Sequence, residues 1–194
     1  MTPDERAFLE RARVGSLATV DAEGRPHAVP ICFALLEPAA SPADATGARR
    51  GDADGGDGRR IVSAIDEKPK ATRDLRRVRN VRTNPRVTLL VDRYREDWSR
   101  LAWIQVRGRA RILEPDGTTG DRPTGAIHDA AVRVLENRYD QYADQDHALD
   151  DRPIVSIRVT RVVSWGALES ESGSDSEDAS TTARASDRDG AEDA

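Results

Sequence analysis

Lys68 and Lys70 flank Pro69 at the point where an apolar run, residues 61–65, breaks into a charged turn. They are the only lysines; the other 28 of the chain's 30 Lys+Arg residues are arginines. Lysine presents a compact, strongly hydrated point charge, whereas arginine presents a flat fork. Two point charges on a proline-stiffened turn just past a strand suit the capture of a phosphate. The competing reading is chance placement on a solvated turn.

Other chemistry is thinly represented. His27, His128 and His147 fall on a strand, a helix and a loop, and no HxxxH, HExxH or CxxC spacing occurs. That argues against a metal site. Cys32, the single cysteine, sits inside an apolar strand and reads as a small core residue rather than a nucleophile. There is no GxSxG, no P-loop and no GxGxxG. A phosphate anchor without an evident acid, base or nucleophile fits a protein that positions a bound cofactor and leaves the chemistry to it.

The elements that must hold these residues follow from patterning. Thr2-Pro3-Asp4-Glu5 gives an N-cap, a proline in the first turn and early acids, so a helix is expected over 3–12. Val and Thr enrichment predicts a strand at 14–21, a turn at 22–25 and a second strand at 26–36. Pro26 and Pro30 push that second strand towards an edge or a bulge. Residues 38–60 lack large apolar side chains and read as a flexible insertion. A third strand is expected at 61–66 and an arginine-rich helix at 70–83, closed by Asn84-Pro85. Strands follow at 86–92 and 101–113. In the latter, Trp103, Gln105, Arg107, Arg109 and Arg111 alternate with Ile104, Val106, Gly108, Ala110 and Ile112. One face is core. The other is a basic stripe headed by a tryptophan, either lining a groove for an anionic ligand or simply solvated. A helix over 124–142 and a last strand over 153–163, closed by residues 164–167, complete the pattern.

Composition bounds the rest. Residues 169–194 carry nine Asp/Glu against two Arg and no large apolar residue, so a disordered acidic tail is expected after a domain spanning 1–168. That domain holds 26 acids and 28 bases. Five arginines on the helix at 70–83 raise a nucleic-acid reading, opposed by the overall charge of −5 and the lack of interleaved aromatics. A lone cysteine, no apolar leader and no run of about 18 apolar residues predict a cytoplasmic protein with no membrane partner.

In order along the chain, the run from Ala12 to Phe33, Asp66-Glu-Lys-Pro-Lys70, Leu75-Arg-Arg-Val-Arg-Asn80, Asn84-Pro-Arg-Val87, the run from Val91 to Leu101 and Val106-Arg-Gly-Arg-Ala-Arg111 resemble the pyridoxamine 5'-phosphate oxidase-like, FMN-binding split barrels. The last two segments are similar to the mycobacterial-type subgroup assigned as coenzyme F420-dependent oxidoreductases. The resemblance covers residues 6–167, broken by the insertion. It implies a mainly β (α+β) fold, a six-stranded antiparallel Greek-key split barrel with a few peripheral helices. It also implies a homodimer with the cofactor at the interface.

By the same resemblance, Ser63, Lys68 and Lys70 hold the cofactor phosphate. Pro30, Ile31 and Cys32 run along the ring system, and Trp98 and Trp103 pack near the ring or in the dimer core. The implied activity is hydride transfer between F420 and a small organic substrate. An FMN-dependent oxidoreductase and a non-catalytic flavin or F420 carrier are the alternatives. The glutamyl tail of F420 would find its counter-charge on Arg107, Arg109 and Arg111 or on the arginines at 73–82.

Overall fold

The computed structural model describes residues 1–38, 58–65, 75–115, 122–142 and 149–169. Lys68, Lys70, His147, nearly all of the insertion and the acidic tail beyond Glu169 lie outside them. Seven strands form one antiparallel sheet: β1 (Val14–Val20), β2 (Pro26–Cys32), β3 (Ala34–Leu36), β4 (Arg60–Ala64), β5 (Arg86–Arg93), β6 (Ala102–Leu113) and β7 (Ile154–Gly166). Their order across the sheet is β2-β1-β5-β6-β7-β4-β3. The two edge strands are consecutive in sequence and separated by Phe33 alone, so the sheet is rolled upon itself into a barrel. Rolling removes the exposed edges that an open sheet would present.

The expected six strands become seven because the run 26–36 is two strands. Its first half pairs with β1 and its second with β4. At the crossing, Phe33 has no ladder partner. The Tyr139 hydroxyl replaces one, accepting from the Phe33 N–H (2.9 Å) and contacting the Phe33 carbonyl at 2.6 Å. Both residues are buried, so an unpaired backbone here would be costly. Tyr139 is also sandwiched by charge, with the Arg13 guanidinium 4.5 Å from its ring centroid and that of Arg138 at 5.6 Å. Arg138 donates to the carbonyls of Leu9 and Ala12 and thereby ties the first helix to the crossing.

Leu17, Ile61, Leu89, Ile104 and Ile157 are fully buried and fill the barrel lumen. Helices close both ends. α1 (Pro3–Arg11) is capped by Thr2 and Glu5, each side chain bonded to the other's backbone N–H. It buries Phe8 and Leu9 at one end. α2 (Arg76–Thr83) buries Val81 and Asn80 at the other, where Asn80 donates to the Thr19 hydroxyl at 2.9 Å. The helix expected over 70–83 is thus helical from residue 76 among the described residues. α3 (Arg122–Arg138) covers the outside of β3 and β4 through Ala131, Val132 and Leu135. It stops short of the expected residue 142, because Tyr139 leaves the helix to reach Phe33 and a single 3₁₀ turn follows at Asp140–Tyr142.

β6 alternates as expected, with Ile104, Val106 and Ala110 buried and Arg107, Arg109 and Arg111 exposed. β7 runs on to Gly166, three residues past expectation, because Trp165 pairs with Trp103 and Gly166 with Ala102. Gly166 has φ +87°, and a Cβ there would lie 2.0 Å from the Leu101 carbonyl oxygen, so the strand end admits only glycine.

Candidate functional site

A packed lumen leaves no room for a ring system inside the barrel. A flat ligand must therefore lie on the outside, and α3 already covers β3 and β4. Among the described residues, the outer surface left open is that of β2, β1, β5, β6 and β7. Register lays out its rows. Pro30, Ser16, Leu90, Gln105 and Val163 stand side by side across the five strands. On one side of that row lie Cys32 opposite Val14, and Asp92, Trp103 and Trp165 in line. Val14 is 51% exposed and Trp165 55% exposed, so among the described residues this half of the face is open and, apart from exposed Asp92, largely apolar.

On the other side the face turns basic. Thr88, Arg107 and Arg161 form one row, and Arg86, Arg109, Arg158 and Arg60 form the next across four adjacent strands. A bulge creates this second feature. Arg158 and Arg161 are three positions apart, so in a regular strand they would face opposite sides. Arg107 pairs with Arg161 while Gly108 pairs with Val159, and Thr160 is the extra residue, its hydroxyl donating to the Arg107 carbonyl at 3.1 Å. Both arginines consequently point outward. Gly108 permits the bulge: a Cβ there would sit 2.4 Å from the Arg158 carbonyl oxygen. The face therefore carries two adjacent rows of guanidinium groups.

The expected site residues divide between surfaces. Pro30 and Cys32 lie on the outer face, with Pro30 exposed and Cys32 half-buried, the Gln141 amide 3.9 Å from its sulfur. Ile31, between them, is 7% exposed and belongs to the lumen. Trp103 is half-buried on the outer face. Trp98 stands away from the sheet in a 3₁₀ turn, 80% exposed. Ser63 is 3% exposed, with its hydroxyl only 3.5 Å from the Ala64 carbonyl. It alternates with Ile61 and Ile65 and points into the lumen. Lys68 and Lys70 lie in the undescribed stretch between β4 and α2. α2 has no side-chain cap, and the positive end of its dipole abuts that stretch.

The β1–β2 turn joins this end of the molecule. The Asp21 carboxylate accepts from the Arg25 side chain (2.8 Å), the Arg25 and Glu23 backbone N–H groups and Arg76 of α2 (3.3 Å). These bonds, the Arg25 side chain foremost, lower its pKa from 3.8 to about 2. Asp21 thereby ties the first residue of α2 to the β1–β2 turn.

The family model described as pyridoxamine 5'-phosphate oxidase matches residues 1–166. The chain belongs to the pyridoxamine 5'-phosphate oxidase family. Solved structures of similar fold include the protein Rv2991 of Mycobacterium tuberculosis, at 21% identity over 86% of this chain and 85% of that one, with a TM-score of 0.53. A Listeria innocua protein named for pyridoxamine 5'-phosphate oxidase is 18% identical over 86% of this chain and all of its own, TM-score 0.50. A Bacteroides thetaiotaomicron protein named for resistance to 5-nitroimidazole antibiotics is 12% identical over 84% and 82% of the two chains, TM-score 0.51. At these identities the likeness concerns the fold. No curated protein matches the chain. The pyridoxamine 5'-phosphate oxidase fold is flavin-binding, which agrees with an outer face that is apolar on one side and basic on the other.

Sequence reasoning missed two groups. Tyr139 and Arg138 hold the crossing beside Cys32; an arginine on the apolar stripe of α3 was the available signal. Arg86, Arg158 and Arg161 extend the basic stripe, but only register and the bulge reveal it.

Proposed function

We propose that this protein is an oxidoreductase that transfers a hydride between coenzyme F420 and a small organic substrate. The observation that carries the reading is the outer sheet face, where an apolar surface beside Pro30 and Cys32 adjoins a band of arginines. A deazaflavin offers a flat ring for the first and a phosphate with a glutamyl tail for the second. FMN shares the ring and the phosphate but lacks the tail, and the breadth of the arginine band favours the longer anion. When bound, the deazaflavin supplies the hydride chemistry.

The chain's residues do the positioning. Pro30 presents a backbone without an N–H, and the neighbouring main-chain groups of Ile31 and Cys32 contact the ring edge. Ser63, through its backbone, leads the chain into Lys68 and Lys70, which neutralise the phosphate together with the N-terminus of α2. Arg107, Arg109 and Arg111 face the tail. Two chains pair through the apolar half of the sheet, burying Val14, Leu90, Trp103 and Trp165, with Trp98 at the rim, and water is excluded from the ring as they do. The proposed setting is cytoplasmic; no helix among the described residues is long and apolar enough to cross a membrane.

Replacing both lysines by alanine (Lys68→Ala, Lys70→Ala) should weaken F420 binding by about 100-fold, two charge-assisted contacts at about 1.5 kcal/mol each. Fluorescence titration reads it, with circular dichroism as the check on folding. Unchanged affinity in a folded double variant would remove the phosphate anchor. Turnover of reduced F420 with a panel of enones and quinones then separates an enzyme from a carrier. Binding without turnover of any of them would favour the carrier.

A further inference from the structure

Arg152 is 7% exposed, and its Nε and Nη1 are buried with no hydrogen-bond partner among the described residues. A guanidinium keeps its proton in proteins. Burying one without a counter-charge is costly, so buried charges are paired or hold a ligand. The described acids on the elements around Arg152 are placed elsewhere. Asp150 and Asp151 are exposed, the Asp129 side chain is 52% exposed, and the Glu114 carboxylate accepts from Arg82 at 3.0 Å.

The backbone of Arg152 is held from both sides. Its N–H donates to the Leu149 carbonyl (3.0 Å), closing the 3₁₀ turn Leu149–Asp151. Its carbonyl lies 2.7 Å from Nε2 of His128, a residue of α3 that is 1% exposed. A carbonyl only accepts, so Nε2 carries the hydrogen. The next residue, Pro153, accepts from the Ile65 N–H (3.1 Å), and Ile154 pairs with Ala64 and Leu113, the last residues of β4 and β6. Arg152 therefore stands at the head of β7, where its two neighbouring strands end, beside α3. Leu113, Leu149 and Ile154 are fully buried here. Their apolar surroundings strengthen the attraction of the guanidinium for an anion.

We infer that Arg152 anchors a binding site for a small oxyanion, a phosphate or carboxylate group, at the head of β7. The planar guanidinium matches the oxygens of either group. Arg152 belongs to neither arginine row of the open sheet face, and the inference does not rest on the proposed cofactor.

The test titrates the full wild-type chain with inorganic phosphate and with acetate, against sodium chloride at matched ionic strength. The Arg152 Nε–H signal is followed by NMR, assigned through bonds so that no substitution is needed. It should shift saturably, half-saturating at or below about 1 mM with the better of the two oxyanions, and should not shift with chloride. The better anion names the class of ligand. No shift with either oxyanion, as when an acid of the chain itself already holds the guanidinium, overturns the inference, and so does an equal shift with chloride. Thermal midpoints then separate this site from the lysine pair. In the Lys68→Ala, Lys70→Ala chain the better anion should still raise the midpoint, and adding Arg152→Met should weaken that response at least about tenfold in apparent affinity. A response already lost with the lysines, or unchanged by Arg152→Met, overturns the inference. Should Arg152→Met fail to fold, the Nε–H titration alone decides. Weakened F420 binding in the double-lysine chain bears on the cofactor reading and leaves this result untouched, so the two can fail separately.

Discussion

Tyr139 shows how much one hydroxyl decides. It takes the place of the missing ladder at Phe33, where the chain passes from one edge of the sheet to the other. Tyr139→Phe keeps the ring and removes the oxygen, leaving the buried N–H and carbonyl of Phe33 without that partner. The expected cost is about 1–3 kcal/mol, read as a lower urea midpoint at unchanged slope. A midpoint equal to wild type would show that the crossing is held by packing alone. The sequence made β2 legible as an edge strand through Pro26 and Pro30, but nothing in it announced Phe33 as a break. Phe33 is apolar in an apolar run, and its partner lies 106 residues away. Ser63 illustrates the same limit. Its position before the lysine turn was readable, whereas its lumen-facing side chain depends on the pairing of β4 with β7, which no local pattern fixes.

At the scale of elements, a link from the β1–β2 turn to α2 anchors the first residue of the helix. Its pH dependence follows from Asp21. The carboxyl has a folded pKa of about 2, below its ordinary 3.8, so its contribution is present above about pH 4 and is lost as pH falls towards 2. Asp21→Asn should therefore lower the thermal midpoint near neutral pH and differ little from wild type near pH 2. A constant difference across that range would exclude the Asp21 charge as the cause. Most elements were visible from periodicity: β1, β5, β6 and the body of α3 lie within a few residues of expectation. The bulge at Thr160 was not visible. The alternation of β7 breaks there, and only pairing with β6 shows that the break brings Arg158 and Arg161 to one face.

At the scale of the molecule, one sheet face is largely apolar at one end and cationic at the other, and the proposed function gives each half a partner. The apolar half is assigned to a second copy of the chain. Leu90→Arg, in the row that borders that half, buries an unmatched charge in such an interface, at about 3–5 kcal/mol. It should shift the sedimenting species from dimer to monomer while leaving the circular dichroism unchanged; a dimer of undiminished stability would move the interface elsewhere. The cationic half is assigned to the anionic end of the cofactor. The measurement that bears most directly on this account is a paired titration of the purified chain with F420 and with FMN under one set of salt conditions. The account predicts that both bind and that F420 binds at least about tenfold more tightly, a difference of about 1.4 kcal/mol from the added tail contacts. Tighter binding of FMN, or binding of neither below about 100 µM, would contradict it.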